Sequence, residues 1–125
     1  MKKIFHLSSC NSCERVIDEL KLKNKKFIFQ DLKTEPITEE QLEELKDKAG
    51  SYEALFSKIA RKYRALGLHE KVLSENEYKN FILKEYTFLK RPVILIKDSI
   101  FIGSSKNTLL EAKKRVDLNY LFSKR

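Results

Sequence analysis

The sequence predicts an α/β fold in which short strands alternate with helices. A run of β-favouring residues at 3–7 leads into a helical run at 14–21, whose apolar residues recur three and four positions apart. The almost continuous apolar run at 91–96 is typical of a buried strand. A tight turn at 97–99 then joins it to a second apolar run at 100–103, which is the pattern of a hairpin. With a further strand at 25–32, the chain is expected to form one sheet of four strands flanked by helices.

Length and composition indicate a single globular domain over residues 1–125. The chain has 125 residues, of which 42% are apolar and 35% are charged. No stretch approaches the roughly 18 consecutive apolar residues of a membrane span, and the basic start lacks the apolar region of a signal peptide. We therefore expect a cytoplasmic protein that does not associate with membranes.

The net charge of +8 is unevenly distributed. Residues 35–47 are acidic, whereas basic residues cluster at 58–64, at 113–115 and at 124–125. Such an excess permits attraction to phosphate, nucleic acid or an acidic protein. Solvated lysine-rich faces are common, however, and no helix-turn-helix, RNA-binding aromatic pair or zinc finger is recognisable. Direct nucleic-acid binding is not expected.

Two helices between the second and third strands carry clear start signals. Thr38 is a good N-cap and, with Gln41 three residues later, forms a capping box, while Gly50 is placed to end that helix. Ser74 and Glu77 form the same pattern at the start of a later helix.

Two further helices are predicted from apolar residues that recur at helical spacing. One is predicted over residues 55–66, ended by Gly67, from a set of apolar residues at helical spacing: Leu55, Phe56, Ile59, Ala60, Tyr63 and Leu66. The last is expected to begin after a serine at 104 or 105 and to keep its apolar side as far as Val116. The tail at 117–125 has no clear pattern and is expected to be loosely held.

Both cysteines of the chain lie in the segment Cys10-Asn-Ser-Cys13, where the first strand leads into the first helix. Unpaired backbone N–H groups and the helix dipole favour a thiolate at such a position. Three residues are just under one helical turn, so Cys13 is close enough to attack a disulfide formed at Cys10. We interpret Cys10 as a nucleophile rather than an inert buried thiol. Cys13 is interpreted as the resolving thiol, although its place on the apolar face of the helix equally suits a core residue.

Other polar residues near this segment allow more than one interpretation. Asn11 and Ser12 can donate to an anion at the helix start, or can simply cap the helix. The soft metal ligands of the chain are few, namely Cys10, Cys13, His6 and His69. Because His69 is remote in sequence, no metal site is expected.

Four segments together resemble the arsenate reductase (ArsC) family, which includes Spx-like redox regulators of RNA polymerase. They are residues 6–10 (His-Leu-Ser-Ser-Cys), 35–38 (Glu-Pro-Ile-Thr), 51–56 (Ser-Tyr-Glu-Ala-Leu-Phe) and 89–94 (Leu-Lys-Arg-Pro-Val-Ile). The resemblance implies a thioredoxin-like, glutaredoxin-type fold with a four-stranded mixed sheet. It also implies a helical insert at about 36–89, between strands 2 and 3.

The resemblance also implies roles around Cys10. A histidine at His6 would support ionisation of the cysteine, or would instead only hydrogen-bond neighbouring backbone. Arg91 would hold the charge of an oxyanion or pair with the thiolate, and Pro92 would follow a cis peptide bond beside the sulfur. The alternative for Arg91 is a solvated side chain at the start of a strand.

Two further arginines of the family are not matched in place. The insert arginine falls near residues 57–59, which are Ser-Lys-Ile, and Arg61 one turn away is the nearest anion-binding candidate. The third would align with Gly103. A lysine point charge does not replace the planar two-donor fork of an arginine, so these departures argue against efficient arsenate reduction.

The function expected from the resemblance is a thiol–disulfide oxidoreductase that reduces an oxyanion or a disulfide. No bound cofactor is expected, and glutathione, glutaredoxin or thioredoxin would serve as electron donor. The alternative is an Spx-like switch that binds RNA polymerase in a redox-dependent way without turnover. A small thiol or a redox protein is the expected partner in the first case, and a monomer is expected in both.

Overall fold

A computed structural model describes residues 2–123 and contains one four-stranded mixed sheet. The strands are β1 (Lys2–His6), β2 (Ile28–Asp31), β3 (Val93–Ile96) and β4 (Ser99–Ile102), in the spatial order β2-β1-β3-β4. β1 and β2 are parallel, while β1–β3 and β3–β4 are antiparallel. The predicted fold class is therefore confirmed.

Residues 2–123 form five α-helices: α1 (Asn11–Glu19), α2 (Glu39–Ala49), α3 (Arg61–Ala65), α4 (Glu75–Lys84) and α5 (Lys106–Ser123). Short 3₁₀ turns occupy 22–24, 53–55, 68–70 and 86–88. Among the described helices, none is long and apolar enough to cross a membrane.

The chain divides into two compact units. One contains the residues up to Lys33 together with those from Arg91 onward, and the other is Thr34–Lys90. The second unit corresponds closely to the predicted insert at 36–89. The organisation of residues 1–125 as a single domain stays a prediction.

The first unit holds the sheet, α1 and α5. Its core forms where one face of each helix meets the central strands, because the apolar residues of α1 and α5 recur at helical spacing. The fully buried side chains of this core include Ile4, Val16, Leu20, Ile94, Ile96 and Val116. The strand β3 is buried along its whole length, as its continuous apolar run predicts.

The second unit holds α2 and α4, and both predicted capping boxes are present. The Thr38 hydroxyl accepts the Gln41 backbone N–H at 3.1 Å, and the Gln41 side chain accepts the Thr38 N–H at 3.1 Å. Ser74 and Glu77 repeat this reciprocal pair at 3.2 and 3.0 Å. Gly50 ends α2 with a φ of 98°, a conformation that favours glycine.

The helix predicted over residues 55–66 is confirmed only at Arg61–Ala65 and is wrong for the residues before Arg61. Phe56 has extended backbone and bridges to Leu89, the Ser57 N–H donates to the Phe88 carbonyl at 2.7 Å, and Lys90 N–H donates to the Leu55 carbonyl at 2.8 Å. These long-range hydrogen bonds replace helical ones, so only α3 remains helical. The apolar spacing was misleading, since Ile59 is 94% exposed.

The last helix begins as predicted, since the Ser105 hydroxyl accepts the Thr108 N–H at 3.2 Å. It continues beyond Val116 to Ser123, so residues 117–123 of the predicted loose tail are helical. Residues 124–125, which complete that tail and one predicted basic cluster, lie outside the described residues.

Candidate active site around Cys10 and Cys13

Cys10 is the N-cap of α1, directly after the loop that follows β1. Its backbone N–H donates to the Leu7 carbonyl at 3.1 Å, and its carbonyl accepts the first helical hydrogen bond from Glu14 at 3.1 Å. These two bonds fix Cys10 at the helix terminus, where the N–H groups of the first turn have no helical partner. Cys10 is half-buried and Cys13 is fully buried, and both are free thiols.

The Cys10 sulfur is surrounded by donors. Partial burial raises the pKa of its thiol, but hydrogen bonds from the Cys13 backbone N–H, the Cys13 thiol and the Ser12 backbone N–H outweigh that effect. The positive charge of Arg91 acts in the same direction. The net result is a Cys10 pKa below its ordinary value, which favours the nucleophilic thiolate.

The pKa of Cys13 is shifted in the opposite direction to that of Cys10. Burial raises the pKa of its thiol to about 12, and the neighbouring Cys10 adds to the increase through its charge and its hydrogen bond. A hydrogen bond from Leu7 and the charge of Arg91 offset only part of this. Cys13 is therefore a protonated thiol at neutral pH, and it donates to Cys10 rather than competing with it.

Arg91 and Pro92 lie immediately before β3, in the same unit as the cysteines. The Arg91–Pro92 peptide bond is cis, as the resemblance implied. The Pro92 carbonyl accepts the Gly103 N–H at 2.9 Å, which ties this segment to the end of β4. The Arg91 guanidinium is near enough to lower the pKa of both cysteines. Its role toward a substrate stays a prediction.

His6 ends β1 and faces β2. Burial lowers its pKa below the ordinary value, although Asp31 and a backbone hydrogen bond at Leu7 partly oppose the shift. Its ring packs edge-on against Phe29 with 5.7 Å between centroids. At neutral pH His6 is therefore mostly uncharged, and Arg91 is the cation that acts on Cys10. The predicted support of the thiolate by His6 stays a prediction.

Asp31 is a residue of this region that sequence reasoning missed. It pairs with His6 in the sheet, and its carboxylate accepts the N–H of Ser8 at 3.4 Å and that of Lys33 at 3.1 Å. It thereby connects the end of β2 to the loop that leads into Cys10. The strand register that brings Asp31 beside His6 is set by long-range pairing and has no local sequence signal.

The remaining predicted site residues are placed as follows. The Ser12 backbone donates to the Cys10 sulfur, whereas Asn11 is exposed and is not among the main causes of the Cys10 pKa shift. Arg61 begins α3 in the second unit. Within residues 2–123, no three His, Cys, Asp or Glu side chains are grouped as a metal site would require.

Comparisons with known proteins support the fold. An arsenate reductase from Vibrio cholerae has the same fold with a TM-score of 0.75 and 17% identity, over 88% of this chain and 95% of that one. An arsenate reductase (ArsC) related protein from Brucella melitensis gives 0.69 and 19%, over 89% and 92%. A protein from Staphylococcus aureus gives 0.72 and 23%, over 89% and 97%.

Identities at this level establish the fold. No curated protein matches the chain closely enough to extend the comparison. The model of the ArsC family, however, matches residues 5–112, which is most of the sequence and includes both cysteines, Arg91 and the insert. The chain belongs to the ArsC family.

Proposed function

We propose that this protein is a thiol–disulfide oxidoreductase in which Cys10 is the nucleophile and Cys13 the resolving thiol. The observation that carries the proposal is that two thiols within one helical turn have opposite pKa shifts. Cys10 accepts hydrogen bonds at the helix terminus and has a lowered pKa, whereas Cys13 is buried and protonated. A nucleophile and a protected second thiol are the two components of a dithiol mechanism.

In the first step the Cys10 thiolate attacks one sulfur of a substrate disulfide. A Cys10–substrate mixed disulfide forms, and the other substrate sulfur leaves with the electron pair of the broken bond and takes a proton from solvent. Arg91 and the Ser12 N–H stabilise the attacking thiolate in the free protein. No net oxidation has occurred at this point, because one disulfide has replaced another.

In the second step Cys13 loses its proton and its thiolate attacks the Cys10 sulfur of the mixed disulfide. The Cys10–Cys13 disulfide forms, and the remaining substrate thiol leaves. The two protein thiols supply both electrons to the substrate. Formation of the mixed disulfide removes the negative charge of Cys10, which is one of the causes of the high Cys13 pKa. The first step therefore makes the second easier.

Reduction of the Cys10–Cys13 disulfide closes the cycle. Two equivalents of a small thiol such as glutathione, or one dithiol protein of the glutaredoxin or thioredoxin type, supply the electrons. No bound cofactor is needed for this chemistry. A reducing cytoplasm contains both kinds of donor and keeps the pair available.

A disulfide fits the site better than arsenate. A tetrahedral oxyanion is best held by planar forks from more than one arginine. Within residues 2–123, Arg91 is the arginine among the leading causes of the lowered Cys10 pKa. Lys58, which stands in the segment expected to supply another, is held by Glu53 at 2.7 Å within its own unit.

The test is steady-state turnover with glutathione as reductant and either 2-hydroxyethyl disulfide or arsenate as substrate. We expect turnover of the disulfide to exceed that of arsenate, and Cys10→Ser to abolish both. Cys13→Ser should retain a slower monothiol activity with glutathione. Full turnover by Cys10→Ser would refute the proposal, and faster turnover of arsenate would refute the assignment of substrate class.

A second function is favoured by one observation, the high pKa of Cys13. A thiol ionised so rarely at neutral pH closes a disulfide slowly, which suits an Spx-like redox switch that binds RNA polymerase. Such a switch would show negligible turnover in the assay above. Its affinity for the polymerase would instead differ between the dithiol and disulfide forms by about tenfold or more.

A further inference from the structure

The helix α5 has two apolar faces on opposite sides. One packs on the core of the first unit through Ala112 and Val116, with Leu109 against it. At 100° per residue, a second stripe lies on the far side of the helix. Its members share an exposed fraction between 48% and 64% and are Leu110, Leu118, Leu121 and Phe122. Leu118, Leu121 and Phe122 are close together on this side, whereas Leu110 lies two turns earlier with Lys114 between it and Leu118. The exposed apolar patch is therefore concentrated at the end of α5.

This second face borders a cavity. Its volume is about 220 Å³, and its lining combines apolar walls with a basic rim: Lys97, Arg115, Leu118, Asn119 and Phe122. The cavity contains space comparable to one or two large side chains rather than an extended ligand. Leu118 and Phe122 thus belong to a concave site, while Leu121, one turn from Leu118, adds apolar surface on the same side of α5.

The charges at the rim have no counterion among the described residues. Lys97 and Arg115 are exposed, and neither makes an ion pair or a side-chain hydrogen bond within residues 2–123. The acidic residues of α5 are otherwise engaged, since Asp117 pairs with Lys25 and Lys113. Glu111 pairs with Lys114. Asp98 is exposed next to Lys97 but does not line the cavity.

The cavity lies at the end of the sheet away from Cys10. Lys97 follows Ile96, which pairs with Lys2 at the start of β1, whereas Cys10 follows the end of β1. The strand between the two ends is five residues long, which corresponds to roughly 15 Å at about 3.3 Å per residue. A molecule bound at the cavity would leave the Cys10 sulfur accessible.

We propose that this face of α5, with the cavity beside it, docks an acidic protein segment that inserts an apolar side chain. Acidic groups on the segment complement Lys97 and Arg115, and a leucine or aromatic side chain fits between Leu118 and Phe122. A second copy of this chain is disfavoured, because it would bring like charges of a +8 protein together. A membrane surface is disfavoured, because a planar bilayer does not fill a concave site.

The test uses a phage-displayed library of random 12-residue peptides selected against the immobilised full chain. We expect enriched peptides to combine Asp or Glu with a leucine or aromatic anchor. Binding measured by fluorescence anisotropy should weaken at least tenfold with Leu118→Ser and with Arg115→Glu. Replacing the acidic residues of an enriched peptide by lysine should restore binding to Arg115→Glu, which separates charge pairing from unfolding.

Lys33→Glu is the matched control, because it makes the same change of charge at an exposed position two residues after the end of β2. The affinity of Lys33→Glu for the peptide should stay within twofold of that of the unsubstituted protein. Enrichment of basic or uncharged peptides, or equal loss of binding in Lys33→Glu and Arg115→Glu, would overturn the proposal. So would a concentration-dependent dimer that Leu118→Ser abolishes in sedimentation, or binding to phosphatidylglycerol vesicles that depends on Phe122.

Discussion

At the scale of single residues, the main result is that two cysteines three positions apart have opposite pKa shifts. Cys10 lies at the helix terminus, where backbone N–H groups and Arg91 stabilise its charged form. Cys13 lies one turn inside the same helix, where burial penalises a charge. The difference follows from the start of α1 and from the apolar face that carries Cys13 into the core.

Replacement of Arg91 by methionine tests the electrostatic part of this explanation. The loss of the positive charge should raise the Cys10 pKa and slow alkylation by iodoacetamide at pH 7 by roughly three- to tenfold. The rate should be measured in a Cys13→Ser background, so that one thiol reacts. Arg15→Met is the control, since Arg15 donates to the Ser104 carbonyl at 3.1 Å and is not among the main causes of the Cys10 pKa shift. An equal effect of both variants would contradict the assignment.

The second step should depend on pH in a defined way. Burial is the largest cause of the raised Cys13 pKa, and it persists in a Cys10–glutathione adduct, so the fraction of Cys13 thiolate grows as pH rises above neutral. Closure of the disulfide from a Cys10–glutathione adduct should therefore accelerate about tenfold per pH unit between pH 6 and 8. Acid quench and intact-mass analysis give the rate. A rate that is flat across this range would show that proton loss from Cys13 does not limit closure.

At the scale of elements, Lys25 connects the C-terminal half of the last helix to the segment that follows α1. The Lys25 ammonium donates to the Leu20 carbonyl at 3.0 Å and to Asp117 at 3.1 Å, and it lies over the Tyr120 ring at 5.6 Å. Its side chain is only 11% exposed. These contacts explain why α5 continues past Val116, where the apolar pattern alone predicts its end.

Lys25→Met should therefore destabilise the protein. The variant keeps the aliphatic stem but removes two hydrogen bonds of a charged donor, which costs about 1 to 3 kcal/mol. Lys113→Met removes the other, exposed partner of Asp117 and should cost about 0.5 kcal/mol or less. Urea denaturation followed by circular dichroism measures both. Equal midpoints for the two variants would show that Lys25 contributes nothing beyond a surface ion pair.

The capping box of α2 provides a second prediction at this scale. Thr38→Ala removes the acceptor of the Gln41 N–H and should lower the free energy of unfolding by about 1 kcal/mol. Asn80→Ala, at an exposed position inside α4, should be neutral or slightly stabilising. The same urea experiment compares them. A Thr38→Ala protein as stable as the original would mean that water replaces the cap without cost.

The elements that the sequence predicts correctly are those whose signals are local. Capping boxes depend on residues three positions apart, and a strand such as β3 is recognisable from its own apolar run. The segment after Leu55 fails because its backbone bonds to residues more than thirty positions away, near Leu89. The contact of Asp31 with the loop before Cys10 was missed for the same reason.

At the scale of the whole molecule, the reactive cysteines and the basic cavity are spatially separate. The fold places Cys10 at one end of the central strands and the basic cavity beside α5 at the other. The sequence indicates the site at Cys10, because a cysteine pair after a strand is a local pattern. The sequence does not indicate the cavity, because the cavity forms where tertiary packing brings a hairpin turn beside a helix. The net charge of +8 suggests acidic partners, and the cavity gives that charge a location.

The measurement that tests the central claim most directly is intact-mass analysis of Cys13→Ser after exposure to glutathione disulfide at pH 7. The serine hydroxyl can still donate to Cys10 but cannot resolve an adduct. We predict one glutathione per chain, mapped by proteolysis to Cys10, whereas the original protein forms the internal Cys10–Cys13 disulfide. If Cys13→Ser remained unmodified while Cys10→Ser carried the adduct on Cys13, the assignment of nucleophile and resolving thiol would be contradicted.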